Sequence, residues 1–456
     1  MRVTGGPGYL ELLRTNRTFR RLWGSNMILY IGDWFTVIAM FILAGEASGN
    51  SPLAIAGVLA VRSFAFMPLE ILTGMAADRF SRKKLMVVGN TFSFLVLSSF
   101  ILLGLLDSLL SVYVLAVLLV IGRSLHDISQ VAYLPRVCDK EELLTANALI
   151  SSGWSLAMGF GALFGGILIT LYGVEIGLMI DSLTFLVAAI VISTLPPGGP
   201  DPDESRGAGV FDMVNDIFSG WGFILKRPEI GRIVIAKLLW SLGGGSQIFL
   251  LIIIGMESDF GYVSAGAAAA GIGVLYMARG FGSGFGPLLA RPLMTVPRYM
   301  PYIIGLSLFG AGLLYVGVSQ IEWGAWTLLL VFWSHAASGC SWVFSTTILQ
   351  QRTDNDWMGR VAGTDNLLLV MTMGISTISS GYILEEELMT LMPSSEDYWL
   401  TRPEVGERLR VPEKTLAQWA SQKKGPRYRR FGRHCRYLLS DVIAWEQAQF
   451  SGGDAA

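Results

Sequence analysis

Apolar runs of bilayer length alternate with short polar turns along most of the chain. That alternation places membrane spans near residues 23–45, 52–73, 85–106, 112–134, 152–172, 176–195, 233–254, 266–289, 300–318, 323–346 and 367–384. Most reach the ~20 residues a helix needs to cross ~30 Å of hydrocarbon. The turns then sort by charge. Connections from odd to even spans (46–51, 107–111, 173–175, 255–265 and 319–322) contain no Lys or Arg. Connections from even to odd spans carry the 79–84 cluster, Arg136 and Lys140, Arg206, Lys226 and Arg227, Arg291 and Arg298, then Arg352 and Arg360. Residues 1–22 hold Arg2, Arg14, Arg17, Arg20 and Arg21 against the single acid Glu11. Basic turns stay on the cytoplasmic side, so a cytoplasmic N-terminus is expected. The polar stretch 1–23 also predicts no cleavable leader.

Between the sixth and seventh spans the pattern breaks. Residues 196–209 are rich in Pro, Gly and acids and read as a linker. Phe211, Val214, Phe218, Trp221 and Leu225 then recur at helical spacing, which predicts an amphipathic helix along the cytoplasmic interface or packed on the bundle. The expected organisation is therefore 1–195 as a six-span half, 196–231 as linker and amphipathic helix, and 232–384 as a second half of about five spans. An acidic linker at 385–398 and a soluble domain at 399–449 complete it. No twelfth span is expected between the eleventh and that domain.

Composition agrees with the lipid reading. Of 456 residues, 52% are hydrophobic and 15% charged, against roughly 25% charged in soluble domains. The net charge of −1 averages over an uneven distribution. Residues 399–456 hold eleven Lys or Arg and six Asp or Glu, a balance of +5. Cys138, Cys340 and Cys435 lie far apart, and the three histidines are scattered. Neither set predicts a disulfide framework or a metal centre, and no cofactor is expected. The phosphate-binding pattern G-x-x-x-x-G-K-[ST] is absent from the sequence, so neither ATP-driven transport nor enzyme activity is expected. Glycine-rich 280–286 lies inside a span and reads as close helix contact.

Gly74, Asp78, Arg79, Arg82, Lys83 and Lys84 form the pattern G-x-x-x-D-R-x-x-R-K-K between the second and third spans. A charged hairpin of about ten residues is expected there. The pattern resembles the signature loop of the major facilitator superfamily of transporters. Leu134-Pro135-Arg136, then Leu143, Leu144, Thr145, Ala146 and Asn147, resemble the connection from span four to five in its drug:proton antiporter group, which includes macrolide- and enterobactin-exporter-like proteins. Asp181, Ser182, Leu183, Thr184 and Phe185 resemble its sixth span. Gly161, Gly165 and Gly166 resemble the G-P-x-x-G-G antiporter signature of span five, with Ala162 in place of proline and hence without its kink. The same glycines also read as helix-packing positions.

The resemblance implies an all-α polytopic bundle of about eleven spans, with the 78–84 loop latching one conformation. It also implies a proton-coupled transporter that moves small apolar or amphipathic compounds by alternating access. Charges inside spans are the candidate chemistry, since each costs roughly 2.5–3.5 kcal/mol to insert and so faces a cavity or a partner. A carboxylate in a low-dielectric cavity gains proton affinity, which makes Asp33 the candidate proton carrier; a structural ion pair is the other reading. Arg62 and Glu70 share nearly one face of span two. Arg123 and Asp127 are four apart on span four and can pair, and Arg123 stands where the superfamily often places a coupling arginine. Neighbouring His126 reads as a hydrogen-bonded helix residue. Lys237 and Arg279 read as snorkelling side chains near span ends. Met27, Met40, Phe41, Phe64, Phe66, Met67, Trp154, Met158 and Trp240 are candidates for an apolar cavity wall.

Residues 399–449 resemble the small winged helix-turn-helix of excisionase- and MerR-type DNA-binding proteins. Thr401 and Glu404 make a capping-box start, and Val411 to Trp419 give the turn and recognition helix. Val405, Leu409, Leu416 and Trp419 are the expected core. Lys414, Thr415 and Gln418 would face the major groove, and wing residues Arg427, Arg429, Arg430 and Arg433 would neutralise phosphates. Eleven spans from a cytoplasmic start put this domain outside, away from chromosomal DNA. A re-entrant eleventh span, a twelfth span lost by fusion or frameshift, and an outside domain with another ligand each resolve the conflict, and fusion is favoured. The expected partners are a small-molecule substrate, protons and membrane lipid, with DNA only where 399–449 is cytoplasmic. A membrane-tethered regulator with a transporter-like sensor body is the alternative function.

Overall fold

The computed structural model describes the chain except residues 1–6, 198–209, 258–264, 291–298, 322, 392–397, 423, 432–433 and 452–456, and except some side chains within helices and strands. The chain divides into two compact units, Met1–Tyr382 and Ile383–Ala456.

The described residues of the first unit form helices joined by short turns. A short helix α1 (Tyr9–Thr15) leads into α2 (Arg17–Ser48), α3 (Pro52–Arg79), α4 (Arg82–Leu102), α5 (Leu109–Tyr133), α6 (Lys140–Tyr172) and α7 (Val174–Ser193). After α8 (Val210–Lys226) come α9 (Pro228–Glu257), α10 (Ala265–Ala290), α11 (Met300–Val318), α12 (Ala325–Arg352) and α13 (Asn355–Leu391), the last of which reaches into the second unit. Among the described residues, nine helices are long and apolar enough to cross a membrane.

Local chemistry sets the ends. The Asn16 side chain accepts from the Phe19 N–H to start α2, and Gly49 closes it with a left-handed φ of 67°. Two residues later Ser51 caps α3, with Pro52 in the first turn where no N–H is needed. The basic turn is tighter than the expected ten-residue hairpin: α3 runs to Arg79 and α4 begins at Arg82, leaving only Phe80 and Ser81 between them. No proline interrupts 69–81, and charged residues are good helix formers once the helix leaves the lipid.

The N-terminal helices are joined by buried polar contacts. His126 on α5 contacts Asn26 of α2 at 3.1 Å and Asn90 of α4 at 2.9 Å. Asp181 on α7 accepts from Thr36 of α2 and, at 3.0 Å, from Thr184. In the C-terminal helices Phe223, Ile230, Met300, Phe344, Ile348 and Val361 form one buried cluster from α8, α9, α11, α12 and α13. Glycines let helices touch where the halves meet. A Cβ on Gly166 of α6 would stand 2.5 Å from the Ala269 carbonyl of α10, and one on Gly280 of α10 would stand 2.6 Å from the Gly159 nitrogen of α6. These are two contacts of one antiparallel pair of helices.

Helix α8 uses both of its faces. Phe223 and Ile224 are buried, while Phe218, Trp221 and Leu225 are exposed. Arg360 of α13 holds Asp216 of α8 at 2.7 Å, Arg227 meets Asp354 at 3.1 Å, and Phe223 stacks on Trp357 at 4.6 Å.

In the second unit, β1 (Trp399–Thr401), α14 (Arg402–Leu409), α15 (Glu413–Gln422), β2 (Arg429–Phe431), β3 (His434–Leu438) and α16 (Leu439–Ser451) follow in order. The sheet is antiparallel in the order β1-β3-β2. Leu400, Val405, Leu416, Tyr437 and Val442 fill the core, with Leu409 and Trp419 packed against it. Only residues 392–398 separate α13 from β1, too few for a crossing of ~20 residues.

Candidate functional site

Four charges expected to matter meet at one place. Asp33 on α2, Arg62 on α3, and Arg123 and Asp127 on α5 all line a cavity of about 360 Å³. Asp33 lies fifteen residues from the Ser48 end of α2, Arg62 ten from Pro52 and Arg123 fourteen from Leu109. At 1.5 Å per residue that is ~15–23 Å from one end of the bundle, near the middle of a bilayer. Arg123 is shared: one terminal nitrogen pairs with Asp33, and Nε donates to Asp127 at 2.6 Å, one helical turn along α5. Its guanidinium also lies 4.8 Å from the centre of the Tyr30 ring. Asp33 is therefore held in an ion pair rather than free.

The opposite wall comes from the other half. Ile248 of α9, Tyr276 and Arg279 of α10, and Val370 of α13 complete the lining. Trp34 and Tyr276 meet across the cavity with ring centres 5.1 Å apart. Phe41, Phe66 and Trp154 line it as expected. Met40 and Met158 are instead buried in the packing, and Phe64 lies against Gly374 of α13. Trp240 donates to Ser338 at 2.7 Å, and Met67 lies outside the described side chains.

Reading the sequence missed two features. Arg279 does not snorkel at a span end but lines the cavity fourteen residues into α10. Lys237 is buried and paired with Asp365 of α13, its Nζ 4.8 Å from the Trp342 ring centre. Asp365 lay two residues outside the expected eleventh span (367–384), whereas α13 starts at Asn355. The available signal was the lone cation Lys237 between Ala236 and Leu238; Asp365, between Thr364 and Asn366, gave none.

The remaining candidates fall in three places. Of the basic turn, Arg82 is buried, Lys83 donates to the Leu195 carbonyl beyond α7 at 2.6 Å, and Lys84 is exposed. Gly74 and the side chains of Glu70, Asp78 and Arg79 lie outside the described residues. Gly161 and Gly165 face Ile31, Trp34 and Phe35 of α2, while Gly166 faces α10, so all three sit at helix crossings. In the second unit Lys414 and Gln418 are exposed on α15, Thr415 is half-buried beside them, and Arg427 and Arg429 are exposed at the hairpin. The side chains of Arg430 and Arg433 lie outside the described residues. Thr401 and Glu404 cap α14 reciprocally, with 2.6 Å from the Thr401 N–H to the Glu404 carboxylate. That bond holds the Glu404 carboxyl below the usual carboxylate range. Among the described residues no His, Cys, Asp and Glu cluster could hold a metal ion.

A family model described as Major Facilitator Superfamily matches residues 22–377, and one described as Helix-turn-helix domain matches residues 399–449. Similar curated proteins include the enterobactin exporter EntS of Shigella boydii serotype 4 (strain Sb227). It is 24% identical over 366 residues, covering 78% of this chain and 82% of that protein. EntS of Salmonella typhi is 24% identical over 362 residues with the same coverage. Similar solved structures include a bacterial homolog of the human lysosomal transporter Spinster, inward-facing and unoccupied. Its TM-score is 0.62 at 14% identity, over 89% of this chain and 87% of that one. A peptide transporter POT in complex with sulfate gives a TM-score of 0.63 at 11% identity, over 82% and 90% of the two chains. At such identities the structural likeness speaks to the fold.

Proposed function

The chain belongs to the Major Facilitator Superfamily of membrane transporters, and from that premise we propose that it exports small apolar or amphipathic compounds in exchange for protons. The observation that carries this reading is Arg123 held between Asp33 and Asp127 at a cavity lined by both halves. One cation serving two carboxylates leaves one acid short of a partner whenever Arg123 leans to the other. A proton arriving on Asp33 would release Arg123 to Asp127, and its departure would draw Arg123 back. Each exchange shifts α2 against α5 beside the substrate wall. Alternating access then consists of the two halves rocking about this cavity. The 78–84 turn would latch one arrangement, and Lys83 on the Leu195 carbonyl supports that by tying the start of α4 to the end of α7. The enterobactin exporters among the similar proteins support the outward direction.

The test is proton-gradient-driven efflux of a fluorescent amphiphile from preloaded cells. Asp33→Asn should lower the rate at least tenfold while leaving the protein in the membrane. Efflux at the normal rate would remove Asp33 as the carrier.

A second reading is favoured by one observation, the exposed Lys414, Gln418, Arg427 and Arg429 on a helix-turn-helix unit. These side chains suit phosphate and base contacts, and a cytoplasmic location would make the chain a membrane-tethered DNA-binding regulator.

A further inference from the structure

Among the described residues, the cavity lining holds more guanidinium groups than carboxylates. Arg62, Arg123 and Arg279 line it against Asp33 and Asp127, and Arg123 takes both carboxylates. Arg62 reaches Met40 Sδ, 4.0 Å away, and among the described residues it has no ion pair. Arg279 stands across the cavity with its guanidinium 5.2 Å from the Tyr276 ring centre. Its Nε is buried with no hydrogen-bond acceptor. The polar groups behind it are Tyr315 of α11 and His335 of α12, joined to each other at 2.9 Å. Asp181 is the next acid: its oxygens accept from Thr36 and Thr184, and its negative charge still acts on Arg62 and Arg123, so Arg279 is the guanidinium left without a carboxylate partner among the described residues.

An unpaired guanidinium in a bundle flanked by lipid is costly unless water or a ligand meets it. The walls beside it are aromatic: Tyr30, Trp34, Phe41, Phe66, Trp154 and Tyr276. Flat apolar surface with a few fixed polar groups is what a small-molecule site presents. We infer that the transported compound is an amphipathic organic anion, its aromatic body against Trp34, Phe66 and Tyr276 and its oxyanion on Arg279 and Arg62. This rests on the transporter reading above and narrows its substrate from apolar compounds at large to anions. A guanidinium fork matches a carboxylate in a way a neutral amide cannot, so the charge of the ligand should decide its affinity.

The test uses the full chain in phosphatidylcholine nanodiscs, free of anionic lipid that would compete. Fluorescence titrations compare 2-naphthoate with 2-naphthamide and 2-naphthylmethylammonium, which share a body and differ in charge. Naphthoate should bind at least tenfold tighter than either. Arg279→Gln should bring naphthoate within threefold of the amide, and Arg279→Lys should keep most of the preference. Equal or tighter binding of the ammonium probe, no binding of any probe, or a folded Arg279→Gln protein with its preference intact would overturn the inference. Should that variant not fold, Arg279→Lys and the unmodified protein still decide. Proteoliposome flux of the same probes separates the two claims. Gradient-driven flux indifferent to probe charge sinks the anion assignment and leaves the transporter reading standing. Arg279-dependent naphthoate binding without gradient-driven flux does the reverse.

Discussion

At the scale of single residues, the buried charges divide by partner. Lys237 and Asp365 have each other, in a site with almost no solvent. Removing one partner from such a pair leaves an uncompensated buried charge and costs on the order of 3–5 kcal/mol, whereas replacing both with apolar residues is often near neutral. Lys237→Leu alone should therefore destabilise the first unit by about that amount, and Lys237→Leu with Asp365→Leu should recover more than half. Chemical denaturation in mixed micelles measures both, and additive losses would show that the two side chains do not depend on each other. This pair was illegible in the sequence because Lys237 looked like a residue at a span end, Asp365 fell outside the expected eleventh span, and pairing between distant helices leaves no local pattern. Asp33, Arg62, Arg123 and Asp127 were legible for the opposite reason. A charge in the middle of an apolar run is conspicuous, and mid-span positions on neighbouring helices converge on one depth. That Arg123 serves two acids at once could not be read, because partner choice depends on helix rotation.

At the scale of elements, hydrophobic length located the helices but not their ends. Helix α13 runs from Asn355 to Leu391, far beyond the apolar core 367–384, because nothing between Asn355 and Asn366 breaks a helix once Arg360 is anchored to Asp216 of α8 and Asp354 to Arg227 just after α8. The turn after α3 shrinks to Phe80 and Ser81 for a related reason: charged residues leave the lipid without leaving the helix. Glycine spacing was partly legible. The 161–166 motif was recognisable as a candidate for helix crossing, yet its choice of neighbours, α2 for Gly161 and Gly165 but α10 for Gly166, follows from rotation about α6. The absence of the signature proline at Ala162 lets α6 run unbroken between both contacts. In α8 the sequence period marked an amphipathic helix, and the structure assigns its faces: Phe223 and Ile224 go inward, Phe218, Trp221 and Leu225 outward.

At the scale of the molecule, the first unit and the helix-turn-helix unit were both readable from composition, since one is apolar with sorted charges and the other polar with a net positive balance. Which side of the bilayer holds the second unit depends on the parity of the crossings, and a single mistaken span reverses it. Eleven crossings from a cytoplasmic start predict an outside domain. Alkaline phosphatase fused after Gln449 should then be active, and a fluorescent protein that matures only in the cytoplasm should stay dark. The converse pair of signals would restore the DNA-binding reading and call for a crossing that turns back.

The three guanidinium groups set against two carboxylates also bear on energetics beyond recognition. Exchanging one inbound proton for one outbound monoanion carries two elementary charges across the bilayer in the same electrical direction. At ~2.3 kcal/mol per charge per 100 mV, the membrane voltage alone would supply ~4.6 kcal/mol per turnover at that potential. Such a pump would keep working with no pH difference, and a valinomycin-clamped diffusion potential imposed on proteoliposomes should drive it; a voltage-blind rate would rule that stoichiometry out.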